Sequence, residues 1–398
     1  MAASTVREGT VAFTFPTLPS AAQTWYRVYG QLDPSNPSVV PLVVLHGGPG
    51  VPHNYMVPLA DLATRFGIPV ILYDQIGNGL STHYPEKKGD EAFWTIDMFV
   101  AELENLLQHL GISGRFDLLG HSWGGMLAAE FVIRRQPAGL RRLVVSDSPA
   151  DLGHWIEAVN KLRETLPADV QEVLKKCEEE GRTDSEEYEQ ATMAFLTRFV
   201  CRLDPWPQEL LASLEWTTKK DPTVYLTMLG PSEFYIVGSL KNWSILDSLH
   251  KIKTPTLLIN GRYDEAQDSV VEPFFRALDQ ATWVSFVESA HMPMWEERER
   301  YIEVLIRMTL LFPLGCYIYS FISFSQGQRS WFSRMIVIIC KKIIRRAILS
   351  HYSPVMLQFV FQSGRTCSQQ CYEVVELLFE PGSFGHRQLP GIMATTRH

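Results

Sequence analysis

Cysteine, positive charge and cofactor motifs are all scarce in the main body of this sequence. Its 398 residues include six cysteines, of which only Cys177 and Cys201 precede residue 316, and this gives no disulfide framework. The formal net charge of -8 at pH 7 argues against a nucleic-acid-binding surface, which needs a concentrated basic face. Residues 1–15 lack the basic start and apolar stretch of a secretion signal. We therefore expect a cytoplasmic protein with no nucleic-acid partner.

Motifs for metals and cofactors are also missing from this body. The residues before 310 contain neither the H-x-x-x-H pattern nor the paired-cysteine spacing of zinc sites. The GNG at 77–79 does not make a dinucleotide fingerprint. We therefore expect chemistry that requires no metal and no cofactor.

What the sequence does contain is a series of short apolar runs separated by helical patterns. Runs that are continuous and β-branched are typical of strands buried on both faces of a parallel sheet. The helical pattern at 95–112 has its apolar residues on one face, and the alternation of the two patterns predicts an α/β fold. The start of the chain alternates instead and predicts one or two antiparallel edge strands. The apolar runs lie at 41–47, 69–74, 116–121, 142–147, 254–261 and 282–289.

Strand signals stop for about a hundred residues after Pro149 and resume at Thr254. Charged helical sequence fills the interval, which predicts a helical cap inserted into the α/β core. The predicted domains are a first part of the core at 1–148, the cap at 149–250, a second part of the core at 251–310, and a C-terminal extension at 311–398.

The composition of the C-terminal extension differs from that of the body. Residues 1–308 carry 27 Lys and Arg against 41 Asp and Glu, whereas residues 309–398 carry 9 against 3. An uncharged run of 17 residues at 308–324 is shorter than the roughly 20 that a bilayer span requires. Two interpretations stay open, a membrane-associated tail with a basic flank or an unstructured or non-native extension, and neither assigns it a function.

The segment "LLGHSWGGMLAAEF" at 118–131 places Ser122 between two glycines, after a buried strand and before a helix. In a G-x-S-x-G motif the serine lies at a strained strand-to-helix turn, and Gly120 and Gly124 remove side chains that would collide there. The turn exposes the hydroxyl at the positive end of the following helix, which favours negative charge at that point. The context predicts a nucleophilic serine.

A serine nucleophile needs a base, and the base needs an acid that fixes its tautomer. In folds with this serine turn the chain order is serine, acid, histidine. Asp264 and His291 follow the last two predicted strands, at the strand ends where α/β sheets place their sites. We predict them as acid and base, with Asp147 and Asp268 as rival acids.

The motif "HGGPG" at 46–50 follows another predicted strand. Successive glycines allow backbone N–H groups to turn inward. The amides of Gly48 and Trp123 are therefore predicted to hold the oxyanion of a tetrahedral intermediate.

Six motifs together resemble the proline iminopeptidase family of α/β-hydrolase serine peptidases, over about residues 5–310. The resemblance implies an α/β-hydrolase fold with a mostly parallel sheet, an inserted helical cap and N-terminal exopeptidase activity. It matches the nucleophile, acid and base to Ser122, Asp264 and His291, and the oxyanion amides to Gly48 and Trp123. It matches the acidic side chains that bind the free amino group of the substrate to Glu233 and Glu265. The motifs are HGGPG (46–50), DQIGNGLS (74–81), GHSWGG (120–125), GPSEF (230–234), NGRYDEA (260–266) and SAHMPMWEE (289–297).

The expected partner is therefore a short peptide or amino-acid amide, and the identity of its first residue stays open. Two other functions also stay open: an esterase or thioesterase acting on neutral acyl groups, and an inactive binding protein on the same fold. Aromatic residues of the cap are candidates for an apolar pocket or for the core of the cap itself. They are Trp155, Trp206, Phe234, Tyr235 and Trp243.

Overall fold

The predicted strands all belong to one eight-stranded sheet. A computed structural model describes residues 5–311 except 34, 37 and 38. The order across the sheet is β1-β2-β4-β3-β5-β6-β7-β8; β1 and β2 pair antiparallel, β2 pairs antiparallel with β4, and the remaining pairs are parallel. This confirms the predicted α/β class and the antiparallel strands at the edge. The strands are β1 (Val6–Phe13), β2 (Ala22–Tyr29), β3 (Leu42–Leu45), β4 (Val70–Tyr73), β5 (Phe116–His121), β6 (Leu140–Ser146), β7 (Thr256–Gly261) and β8 (Ala281–Phe286).

Helices cover both faces of the sheet. Along β3, Val43 and Leu45 belong to one apolar cluster while Leu42 and Val44 belong to another, because successive strand residues point to opposite faces. The central strands β3, β4 and β5 are buried along their whole length, which explains their continuous apolar sequence. The helices of the described residues are α1 (Ala60–Phe66), α2 (Ile96–His109), α3 (Trp123–Arg135), α4 (Leu152–Arg163), α5 (Ala168–Glu179), α6 (Glu186–Phe199), α7 (Gln208–Glu215), α8 (Thr223–Met228), α9 (Asp268–Ala277), α10 (Pro293–Glu296) and α11 (Arg298–Leu311).

Helix α2 shows how the sequence sets a helix and its buried face. The Thr95 side chain accepts a hydrogen bond from the backbone N–H of Met98, so it satisfies one of the free donors at the helix start. Phe99, Leu103 and Leu106 then recur at helical spacing and are fully buried. The helix therefore lies where the pattern at 95–112 predicted it.

Helices α4 to α8 form the connection between β6 and β7, and we call residues 152–228 the helical insertion. Asp151 caps its first helix by accepting from the N–H of His154. Within this fully described connection no strand lies between Ser146 and Thr256. The predicted domain boundaries at 148 and 250 stay predictions.

The C-terminal extension lies beyond the described residues, apart from residue 311. Most of the uncharged run at 308–324 also lies outside the described residues. The structure therefore does not test the two interpretations of this extension. In the part of the chain that the structure describes, no helix has the length and apolarity required to cross a bilayer.

The crossing of α3 over β3 and β5 depends on glycine. A Cβ at Gly124 would lie 2.2 Å from the backbone oxygen of Leu45, and a Cβ at Gly120 would lie 2.0 Å from that of Gly124. We expect Gly124→Ala to lower the free energy of unfolding by at least about 3 kcal/mol, because neither backbone segment can move without the sheet. Gly114→Ala is the matched control, since a Cβ there meets nothing within 4 Å. Urea denaturation of the full chain measures both, and equal midpoints would contradict the expectation.

Candidate active site

Ser122 lies at the sharp turn between β5 and α3. Its backbone has φ 55° and ψ -124°, a conformation that non-glycine residues rarely adopt. The turn is held because the Ser122 N–H donates to the backbone oxygen of Ser146 at 2.9 Å, while its own carbonyl accepts from Gly125 at 2.8 Å. Among the described residues the Ser122 hydroxyl makes no hydrogen bond, and the side chain stays at the edge where the parallel strands end.

Asp264 and His291, which follow β7 and β8, meet at this edge. His291 Nδ1 lies 2.7 Å from Asp264 Oδ1, and the same oxygen accepts from the backbone N–H of Ala266 at 2.8 Å. Burial opposes the charge on Asp264, but the charge and hydrogen bond of His291 outweigh it, so the pKa of Asp264 is below its ordinary value. A carboxylate at Nδ1 places the imidazole proton on Nδ1 and leaves Nε2 with its lone pair. This arrangement fits a base directed away from Asp264.

Neither of the two rival acids, Asp268 and Asp147, makes the hydrogen bond to His291 that Asp264 makes. Asp268 accepts from the side-chain amide of Asn260 at 3.0 Å and starts helix α9. Asp147 is buried near the pair but makes no hydrogen bond to His291. The geometry therefore favours Asp264 as the acid.

His121 connects the Ser122 turn to the His291 loop, and the sequence analysis missed this role. Burial, and then the charge of His291, lower the pKa of His121 to about 3, so its ring is neutral. Its Nε2 donates to the backbone oxygen of His291 at 2.8 Å, because a carbonyl can only accept. Its Nδ1 therefore accepts from the Tyr55 hydroxyl at 2.9 Å, and that hydroxyl accepts from the Gly47 N–H at 2.7 Å. One chain of hydrogen bonds thus joins three loops of the site.

The loop after β3 presents the predicted oxyanion amides. Gly48 has φ 107°, and a Cβ there would lie 2.3 Å from the Gly50 nitrogen, so only glycine fits. A Cβ at Gly47 would lie 3.0 Å from that of Ser122, which brings this loop against the serine. No acceptor among the described residues is bonded to the amide of Gly48 or of Trp123. Both N–H groups are therefore available to an oxyanion.

Glu265 and Glu233 form an acidic pair beside His291. Glu265 is 1% exposed, and its Oε2 has no hydrogen-bond partner. Its Oε1 lies 3.7 Å from His291 Nε2. Glu233 is partly exposed and accepts from the Tyr225 hydroxyl at 3.0 Å. Among the described residues, neither carboxylate forms an ion pair with Lys or Arg.

Burial raises the pKa values of both carboxyl groups of this pair. Burial raises the pKa of Glu233 to about 7. Burial and then repulsion from Glu233 and Asp264 raise the pKa of Glu265 well above its usual value. A cation placed between the two carboxylates would stabilise their charged forms.

The aromatic residues of the cap divide into two groups. The Trp155 ring meets the His291 ring edge-on, with 6.0 Å between centroids, so it lies at the site. Trp206 and Trp243 instead donate their indole N–H groups at 2.9 Å to acceptors within the protein. Phe234 packs against other aromatic rings of the insertion and is 3% exposed. These four residues are therefore all buried, and among them Trp155 is the one whose ring contacts His291.

The C-terminal end of α6 is hydrogen-bonded to the loop that carries Glu265 and to the loop that carries His291. The backbone N–H of Glu265 donates to the oxygen of Phe199 at 3.2 Å, and that of His291 donates to the oxygen of Val200 at 3.0 Å. The helical insertion therefore contacts the main chain of two site residues directly.

A serine at a strained turn, a histidine–carboxylate pair and free amides at the carboxyl edge of a parallel sheet define an α/β hydrolase. Residues 40–298 match the family described as alpha/beta hydrolase fold. The chain is 36% identical over 264 residues to a proline iminopeptidase of Saccharolobus solfataricus, covering 66% of this chain and 83% of the relative.

Solved structures agree with this assignment. The crystal structure of VinJ matches with a TM-score of 0.70 and 45% identity, over 75% of this chain and 97% of the other. The proline iminopeptidase of Mycobacterium smegmatis matches with a TM-score of 0.67 and 38% identity over the same shares. The chain belongs to the proline iminopeptidase family and is a serine aminopeptidase, as the motifs predicted.

Proposed function

We propose that this protein releases an unblocked N-terminal residue, proline or another apolar residue, from short peptides or amino-acid amides. The observation that carries the proposal is the acidic pair of Glu233 and Glu265, which lies beside His291 and, among the described residues, forms no ion pair with Lys or Arg. An N-terminal ammonium is the cation that such a pair would bind, because an unpaired charge in a buried site costs several kcal/mol.

The position of the pair also explains why only the first residue would be cleaved. Glu265 Oε1 lies 3.7 Å from the nitrogen that we propose as the base. An ammonium held there keeps its own carbonyl next to Ser122, whereas a bond further along the peptide is out of reach. The spacing supports an exopeptidase rather than an endopeptidase.

The proposed chemistry uses Ser122, His291 and Asp264 in two half-reactions. His291 Nε2 accepts the Ser122 proton as the hydroxyl attacks the first carbonyl carbon, and Asp264 stabilises the resulting imidazolium. The amides of Gly48 and Trp123 bind the oxyanion, each contributing about 3 kcal/mol to lowering the barrier. His291 then protonates the leaving amine, and water, deprotonated by His291, releases the amino acid from the aminoacyl-enzyme.

Trp155 supports an apolar first residue. Its ring stands edge-on to His291, and its indole N–H donates to the backbone oxygen of Glu233 at 2.9 Å. A ring fixed between the base and the acidic pair offers an apolar surface to the side chain of the bound residue. We also propose a cytoplasmic location, with which the two buried, unpaired cysteines of the described residues are compatible.

The test compares fluorogenic amides of proline and other amino acids with a free or an acetylated α-amino group. Acetylation removes the cation and leaves both carboxylates without a partner, so we expect kcat/KM to fall by at least about 1,000-fold. Proline, alanine and leucine amides measured in the same assay define the first-residue preference. Unchanged turnover of the acetylated substrates would favour the esterase alternative, and no turnover of any substrate would favour the inactive binding protein.

A further inference from the structure

A buried aspartate takes no part in the chemistry proposed above. Asp147 follows β6 directly, beside the strand that carries Ser122, and is 0% exposed. Its backbone has φ 54°, outside the range that most residues adopt. The Ser146 hydroxyl donates to Asp147 Oδ2, while Asp147 Oδ1 has no partner among the donors of the described residues.

The nearest acid to Asp147 is Asp264. One oxygen of each carboxyl group and one ring nitrogen of His291 all lie within 4.8 Å of one another. Both carboxyl groups are 0% exposed, and among the described residues neither forms an ion pair with Lys or Arg. Two carboxylates this close in a buried site repel each other strongly when both are ionised, which favours a proton on one of them.

The contacts assign the proton to Asp147. Asp264 accepts hydrogen bonds from His291 Nδ1 and from the N–H of Ala266, and both favour its charged form. Asp147 receives only the Ser146 hydroxyl, and no Lys or Arg of the described residues is paired with it. Burial and the charge of Asp264 raise the pKa of Asp147 well above its usual value.

Among the described residues, no Lys or Arg forms an ion pair with Asp147 that would reverse this assignment. His121 Nε2 is 3.8 Å from Asp147 Oδ2, but its ring is neutral because burial lowers its pKa to about 3. Tyr301 reaches Asp147 only through the Ser146 hydroxyl, at 3.0 Å from that hydroxyl. The titratable groups that face Asp147 are Asp264, His291, His121, Tyr301 and Glu296.

We propose that Asp147 is a positioning residue, a protonated carboxyl group that donates its O–H to Asp264 and holds that carboxylate in line with His291. The proposal rests on the role of Asp264 in the proposed function. A donor behind Asp264 fixes the orientation of its carboxylate, whose other oxygen is then directed to the imidazole. The pair leaves a single negative charge behind the base rather than two.

The test compares two replacements of Asp147, one that keeps a hydrogen-bond donor and one that removes it. Asp147→Asn keeps an N–H donor, is neutral and tolerates the positive φ. Asp147→Gly tolerates the same backbone and removes the donor. We expect the asparagine variant to keep its rate of labelling by a fluorophosphonate within about threefold. We expect the glycine variant to lose about 10- to 100-fold, as for one hydrogen bond to a charged group.

The labelling rate is chosen because a fluorophosphonate has no amino group to bind. It therefore reports on Ser122, His291 and Asp264 even if the aminopeptidase proposal fails. Asp268→Asn, a neighbouring acid hydrogen-bonded to Asn260, is the matched control and should label at the wild-type rate. The rate is expressed per folded protein, so a loss of stability alone does not change it.

A second readout detects the proton itself. The infrared difference spectrum of wild type minus Asp147→Asn at neutral pH should contain the carbonyl stretch of a protonated carboxylic acid. A carboxylate band in its place would overturn the proposal. So would an asparagine variant that labels as slowly as the glycine variant, or a glycine variant that labels at the wild-type rate.

Discussion

Ser122→Ala is expected to lower kcat for amino-acid amides by about 10⁴- to 10⁶-fold. The reason is that the hydroxyl is the proposed attacking group, and without it His291 has no nucleophile to activate. What remains is the small rate that binding and oxyanion stabilisation alone supply. Steady-state kinetics with a proline amide measure the loss, and a fluorophosphonate label should disappear with it.

Ser148→Ala is the matched control for this substitution. Ser148 is also fully buried at the carboxyl end of the sheet, and its hydroxyl has no partner among the described residues. We expect its turnover and labelling to stay close to wild type. Retained turnover in Ser122→Ala, with the label still incorporated, would remove the serine mechanism altogether.

Glu265→Gln is expected to lower kcat/KM for substrates with a free amino group by about 1,000-fold. The substitution keeps the shape of the side chain but removes the negative charge that would pair with a bound ammonium, and breaking a buried ion pair costs about 3–5 kcal/mol. Glu233→Gln should cost less, because Glu233 is partly exposed and its lost charge is better compensated by water. Kinetics on matched free and acetylated amides give the ratio that isolates the effect on the amine.

The labelling rate with a fluorophosphonate separates binding from chemistry in this experiment. If Glu265 acts on the substrate amine, labelling of Glu265→Gln should stay within about threefold of wild type. A parallel fall in labelling would show that Glu265 acts on His291 instead, from which it is 3.7 Å away. Glu272→Gln, on the exposed side of α9, is the control and should leave both measurements unchanged.

The sequence predicted the fold class and the family, and both are confirmed. This succeeded because the signals are local: continuous apolar runs mark buried strands, and G-x-S-x-G marks one turn. Ser122, Asp264 and His291 each lie within five residues after the end of a parallel strand, so the strand order alone predicts that they lie at one edge of the sheet. Their proposed roles await the experiments above.

The roles of Asp147 and Tyr55 could not be predicted in the same way. Asp147 follows a strand end as Asp264 does, and only the paths of two loops decide which of them meets His291 at 2.7 Å. Tyr55 is 66 residues from its partner His121, and no spacing rule connects them. The only local signal for His121 is that it immediately precedes Ser122 in GHSWGG. Contacts between loops depend on packing, which the pattern of one sequence does not encode.

The two hydrogen bonds from the end of α6 have a consequence for how the enzyme admits its substrate. They join the backbone of Phe199 and Val200 to that of Glu265 and His291. A movement that separates the end of α6 from these two loops would break both hydrogen bonds. It would also displace Glu265 and His291, which we propose to bind the amine and to transfer the proton. A conformation in which these two hydrogen bonds are broken is therefore not competent for catalysis. The substrate has to enter by a route that leaves both bonds intact.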